Sequence, residues 1–250
     1  MENLHTPEQS DCVPHGRMTC DRCWKGVTTS TQHVGRFLLV HDPGHSGSSN
    51  PSVLVLGISK GNTQSAAIAK DDFDKVAFKN SRDRLLTILQ VVGLLPNESE
   101  AEFNNRFRAG EREYGFASVV RCSVSGMDRK TSSYKADSPN VVPALKPGSE
   151  AYKFAYACVD QHIRRLPPAT HTVILLGTTD AYIKHVKDLI GRTRGRVTPV
   201  NDVAYRSDGV LFVHVAHPSR GNGHFSAFIS GKGSPGEKMR LAEAALRLPR

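Results

Sequence analysis

Val53-Leu54-Val55-Leu56-Gly57-Ile58-Ser59-Lys60-Gly61-Asn62 (VLVLGISKGN) decides the fold class of this chain. Four apolar residues run without a polar break and stop at a glycine. That pattern predicts a short strand buried on both faces, as in a parallel sheet. Thr172–Leu176, ending at Gly177, and Val210–Val215, ending just before His217, repeat it, and residues 116–120 predict a fourth strand. Between these runs the period changes to that of a helix. Residues 84–92 (RLLTILQVV) space their apolar side chains three and four apart and stop at Gly93, a natural C-cap. Residues 151–166, 180–190 and 237–248 read as further helices, the last closed by Pro249. Strands alternating with helices predict a three-layer α/β/α fold around a central, mainly parallel four-stranded sheet.

Outward from that frame, residues 1–18 mix polar groups, Pro and His without any period and read as a flexible tail. Residues 41–52 (HDPGHSGSSNPS) read as a loop, and residues 123–149, rich in Ser, Pro and Lys, as a surface insertion. The remainder, 19–250, is expected to be one domain, since 250 residues with 38% hydrophobic content suffice for a full core. No stretch approaches the roughly 18 apolar residues of a membrane span, and the polar start is no secretory signal. The chain carries 33 Lys and Arg against 24 Asp and Glu, a net charge of +9, which points towards an anionic partner such as nucleic acid. Five cysteines without a signal peptide are not a disulfide framework. They read as thiols in a reducing compartment, the cytoplasm, where they are available to metal.

Sites in open parallel sheets form beyond the carboxyl ends of the strands. Here those ends carry Gly57 to Asn62, Ser118 to Cys122, Gly177-Thr178-Thr179 and His217-Pro218-Ser219-Arg220. Cys20-Asp21-Arg22-Cys23 is a C-x2-C pair, the spacing that lets two thiolates of one turn reach the same metal. Cys122 and Cys158 are either the other two ligands of a four-thiolate centre, zinc or [4Fe–4S], or ordinary buried cysteines. Cys12 looks spare. His217-Pro218-Ser219 reads either as a site residue with its loop or as a helix N-cap after a strand. Gly57 to Gly61 lacks the Lys-Ser/Thr ending of a P-loop, so no nucleoside triphosphate site is expected.

In this order the motifs resemble the uracil-DNA glycosylase superfamily, particularly its iron–sulfur branches, families four and five. The resemblance runs over roughly residues 20–248. It rests on Cys20 and Cys23, the glycine-led motif from Gly57, Cys122, Cys158, Leu176-Gly177 and His217-Pro218-Ser219. It implies a DNA-repair hydrolase that removes uracil from DNA, with a [4Fe–4S] cluster on Cys20, Cys23, Cys122 and Cys158. Gly57, Ile58, Ser59 and Gly61 would line the uracil pocket, Phe78 would stack on the flipped base and Ser118 would bond its edge. His217 would donate to uracil O2, while Ser219, Arg220, Asn222 and His224 would meet the DNA. The implied partners are uracil-containing DNA and its abasic product, bound by a monomer.

The glycine-led motif departs from the family pattern: Ile58 and Ser59 follow the first glycine, and Lys60 stands where Pro is usual. No carboxylate occupies the water-activating place, which leaves Asn62 and Asn80, with Gln64, Asp72 and Asp74, to position water. Two rivals follow. One is a protein that binds uracil-containing or abasic DNA with little turnover; the other is a zinc-stabilised nucleic-acid-binding protein without a base pocket.

Overall fold

A computed structural model describes residues 12–68 and 72–249, apart from the side chains of Asn62 and Thr63. The chain begins with β1 (Gly16–Arg17), β2 (Thr31–Val34), β3 (Phe37–Val40), β4 (Gly44–Gly47) and β5 (Val53–Gly57). After α1 (Asn62–Ile68), α2 (Arg82–Val91) and α3 (Glu100–Asn105) come β6 (Tyr114–Ser118), β7 (Ser123–Asp128) and β8 (Ser133–Lys135). Then follow α4 (Ser138–Val141), α5 (Tyr152–His162), β9 (Thr172–Leu176) and α6 (Asp180–Arg194). The chain ends with β10 (Val197–Asn201), β11 (Ala204–Ser207), β12 (Val210–Val215), α7 (Phe225–Ile229) and α8 (Gly233–Leu246).

The apolar runs at β5, β9 and β12 are buried along their whole length, because helices cover both faces of the sheet. The two-residue pleat divides their side chains between two cores. Leu54, Leu56, Val173 and Leu175 join Val159 of α5 and Val186 of α6 on one face. Val53, Val55, Ile174 and Leu176 join Leu85 of α2, Phe103 of α3 and Ala242 of α8 on the other. Each of these strand residues is 3% exposed or less, so truncating a leucine to alanine costs about 2–5 kcal/mol. That is a large part of the roughly 5–15 kcal/mol by which a whole domain is stable.

The layers are therefore α/β/α, but the sheet is larger than the four strands expected. It has eight strands in the order β1-β4-β6-β5-β9-β12-β11-β10. Pairing is parallel from β6 through β5 and β9 to β12, and antiparallel outside that segment on both edges. It is a mixed sheet and not a mainly parallel one. The added edge strands are polar or glycine-rich, as Gly44-His45-Ser46-Gly47 shows, so no apolar run announced them. The loop expected over residues 41–52 thus contains β4.

Two further expectations are corrected. Residues 123–149 are no surface insertion: β7 and β8 complete a second sheet, β2-β3-β7-β8, and Val124, Val141 and Leu145 are buried. Val124, with Phe37 and Leu39 of β3, packs into the same core as α5 and α6. The tail expected over 1–18 lies outside the described residues up to position 11. From there, β1 pairs with β4, and His15 reaches Asp74 with Nε2 2.9 Å from Oδ1. Among the described residues no helix is long and apolar enough to cross a membrane.

Candidate functional site

β6 lies on one side of β5 and β9 on the other, so the winding of the chain reverses at β5. α/β sheets open a crevice at such a point, beyond the strand ends. A cavity of about 310 Å³ lies there, and it brings together Gly57, Ser59 and Gly61 with Phe78, Ser118 and His217. Gly57 pairs with Ser118 across the parallel ladder. The ladder continues past the strands, with Val119 N donating to Gly57 O and Val120 N to Ile58 O at 2.8 and 2.9 Å. That continuation holds the glycine-led loop beside the segment leading to Cys122.

Ile58 does not line this cavity. It follows the pleat of Leu54 and Leu56 into the core on the α5 side and is 7% exposed. Ser59 lines the cavity but donates its hydroxyl to Val124 O at 3.3 Å. Asn80 and Gln64 line the cavity, whereas the side chain of Asn62 is outside the described residues. Asp72 and Asp74 do not reach it: Asp74 pairs with His15, and Asp72 caps its own 3-10 turn. Among the described residues no carboxylate lines the cavity.

His217 stands two residues beyond β12, with its ring half-buried. Its Nδ1 accepts the backbone N–H of Ser219 at 3.1 Å, and its carbonyl accepts Asn222 Nδ2 at 2.7 Å. A ring nitrogen that accepts carries no proton, so the neutral tautomer has its proton on Nε2. Burial, reinforced by the positive Arg84, lowers the pKa of His217 to about 4. At neutral pH this residue is an uncharged N–H donor.

Arg84 is a site residue that the sequence reading missed. From α2 it donates Nη1 to Ser219 O at 2.7 Å, while its guanidinium lies 3.7 Å from the centre of the Phe225 ring. Arg220 crosses to the same helix, with Nε on Asn80 O at 3.2 Å and Nη2 on Asp83 Oδ2 at 2.8 Å. Together they fix the His217 loop against α2. Asn222 shapes the loop from outside the cavity, and His224 is exposed at the start of α7.

Phe78 has φ 54°, the left-handed region, which is costly for a bulky side chain. The turn is braced: Ser81 N donates to Phe78 O at 2.8 Å and Arg82 Nε to Ala77 O at 2.8 Å. Its ring stands in the cavity wall beside Phe116, their centroids 6.5 Å apart. Lys60 donates Nζ to Arg121 O and lies 3.5 Å from Asp42 Oδ1. Asp42 also accepts Ser123 N and Oγ at 2.7 and 2.6 Å. A buried ion pair thus ties the cavity loop to the Cys122 segment. Desolvation lowers the Lys60 pKa and Asp42 opposes that shift.

Of the four candidate cysteines, Cys122 and Cys158 are buried in the α5-side core and Cys23 packs against it. Arg22, between Cys20 and Cys23, reaches Asp160 and Gln161 of α5 at 2.5 and 2.8 Å, drawing the C-x2-C turn against the helix that carries Cys158. Cys158 Sγ accepts Arg121 N at 3.3 Å. Burial, and after it Cys20 and Cys122, raise Cys23 to about 11; burial and Cys158 raise Cys122 to about 12. Burial, and after it Cys23 and Cys20, raise Cys158 to about 11 against the Arg121 N–H bond. The four thiols therefore lie within electrostatic reach of one another, although among the described residues no three His, Cys, Asp or Glu side chains stand at metal-holding spacing. Cys12 is exposed and does not enter these interactions. In comparison with known proteins, the chain matches no family model and no curated sequence.

Proposed function

We propose that this protein is a DNA glycosylase that hydrolyses the bond between uracil and deoxyribose and leaves an abasic site. One observation carries the reading. An uncharged histidine donor, a strained phenylalanine and a strand-end serine, 217, 78 and 118, line one cavity at the switch point of the sheet. A flipped base needs a stacking surface, an edge partner and a group that stabilises the departing anion. As the bond from N1 to C1′ breaks, electrons pass to the base, and Nε2–H of His217 bonds the growing charge on O2. A neutral donor is suited to that task, because it holds the anion without transferring a proton. Phe78 stacks on the ring and Ser118 Oγ bonds its edge. Water adds to C1′ and loses its proton to solvent. Asn80 and Gln64 orient that water, in place of a carboxylate. The basic excess supplies phosphate contacts, to which Arg220, exposed at the cavity and paired with Asp83, contributes.

Four cysteines have the donor chemistry of a metal–thiolate centre, although among the described residues no three of them stand at metal-holding spacing. Four thiolates from three segments would suit [4Fe–4S] or zinc, and the resemblance favours iron–sulfur. Held by Cys20, Cys23, Cys122 and Cys158, such a centre would supply a structural clamp joining the C-x2-C turn, the start of β7 and α5. A second reading keeps the pocket but not the turnover. The lack of a carboxylate among the described lining residues favours a protein that holds uracil-containing or abasic DNA and releases it slowly. Chromatography of free uracil separates the two, first with protein in excess and then with DNA in excess. A glycosylase releases one uracil per substrate strand in both arms, whereas a binder releases none in either.

A further inference from the structure

Arg121 is 1% exposed, and its Nε and Nη1 find no hydrogen-bond partner in the fold. A buried guanidinium in that condition is costly by several kcal/mol, and proteins keep one where an anion compensates it. Among the described residues no carboxylate pairs with Arg121. Asp42, the partner of the Lys60 that bonds the Arg121 carbonyl, is taken by Lys60 and Ser123. Arg121 directly precedes Cys122, and its own N–H donates to Cys158 Sγ at 3.3 Å, so its enclosed side chain starts between two of the candidate ligands. Its other titratable neighbours, His45 and His162, are buried rings whose charged forms it disfavours. Nε2 of His162, one turn beyond Cys158 on α5, is also without a partner. Neutral thiols would leave a bare cation here. Metal-bound thiolates would not, since four of them outweigh the charge of a divalent metal or a cluster core and make the centre a net anion.

We infer that Arg121 is the counter-charge of the four-cysteine centre: its enclosed guanidinium neutralises part of the anionic charge of metal-bound Cys20, Cys23, Cys122 and Cys158. The inference rests on the reading of those cysteines as metal ligands and adds to it a residue that sets how firmly the metal is held. Neighbours of a metal's ligands commonly govern affinity by about 10–100-fold. Arg121 acts through charge, and a packing role predicts the opposite ranking of substitutions. Methionine matches the buried apolar stem, while lysine keeps the charge.

The experiment compares the protein, Arg121→Met and Arg121→Lys, each purified without air. It measures metal content and the rate of metal transfer to a strong chelator. Arg121→Met should lose metal about tenfold faster or more, and Arg121→Lys should stay within about threefold of the parent. Equal rates in the parent and Arg121→Met overturn the inference, as does an equal loss from both variants. Should Arg121→Met not be recovered folded, Arg121→Lys decides alone: metal held at the parent rate supports the counter-charge, and rapid loss overturns it. A parent protein without iron or zinc refutes the metal reading itself, and that outcome is seen before any variant is compared.

Discussion

If the proposed function holds, replacing His217 with alanine removes the ring donor assigned to the departing base. Its hydrogen bond and its burial favour a neutral ring with the proton on Nε2. Nδ1 is occupied by Ser219 N at 3.1 Å, and a pKa of about 4 keeps the ring uncharged at assay pH. The lost interaction forms as charge develops on the base, so the rate falls by the scale of one preorganised donor. That is about 10²–10³-fold, or about 3–4 kcal/mol of barrier. The substitution also strands the Ser219 N–H, at about 1–3 kcal/mol of stability, which thermal unfolding checks separately. Single-turnover uracil release from a short duplex reads the rate, and filter binding of the same duplex reads affinity. Affinity should change far less, because phosphate contacts dominate it. The parent rate should also show no inflection near pH 6.5, the ordinary histidine value. A His217→Ala rate within about threefold of the parent, well under 1 kcal/mol in barrier, would refute the reasoning.

Arg84→Met should slow single-turnover release by roughly tenfold, about 1.4 kcal/mol, because it frees Ser219 O from its 2.7 Å anchor. It should also raise the His217 pKa, since the positive Arg84 helps to lower it, and the pH profile reads that change. Alanine at Cys20, Cys23, Cys122 or Cys158 should abolish metal content and much of the soluble folded protein, while Cys12→Ala should leave both intact. Metal analysis after gel filtration decides each case. Arg220→Ala should weaken DNA binding and reduce the log–log salt slope by about one phosphate contact, as binding isotherms across a salt series will show. His45 and His214, each held near a pKa of about 3 by burial, are neutral when folded. Unfolded, they protonate below about pH 6.5, so stability is fully present above that pH and falls as pH drops towards 3. Urea midpoints against pH test the sign.

The sequence is most readable where both faces of a strand are buried. β9 and β12 coincide with their apolar runs, and β5 differs from its run by the terminal glycine alone. β4 is not readable, because its Gly-His-Ser-Gly content is chosen by close packing and not by a hydrophobic period: a Cβ on Gly44 would meet Phe73 at 2.9 Å. β7 was hidden for a similar reason, as Ser123, Ser125 and Gly126 are buried polar or glycine positions. In the site, chain order led to Gly57, Phe78, Ser118 and His217, which share the cavity. It misplaced Ile58, since proximity in sequence ignores the pleat that turns alternate residues to the opposite core. Arg84 was beyond sequence reasoning, for its partner Ser219 lies 135 positions away and an arginine in a helix is ordinarily a solvated side chain.

Strand scission tests the account most directly. A labelled duplex carrying one uracil, beside an otherwise identical duplex with thymine there, is incubated with excess protein purified without air and then treated with hot alkali. The account predicts one cleavage product, at the uracil position, in the first duplex and none in the second. Intact strands in both, from protein that carries its metal and binds the uracil duplex, would contradict it.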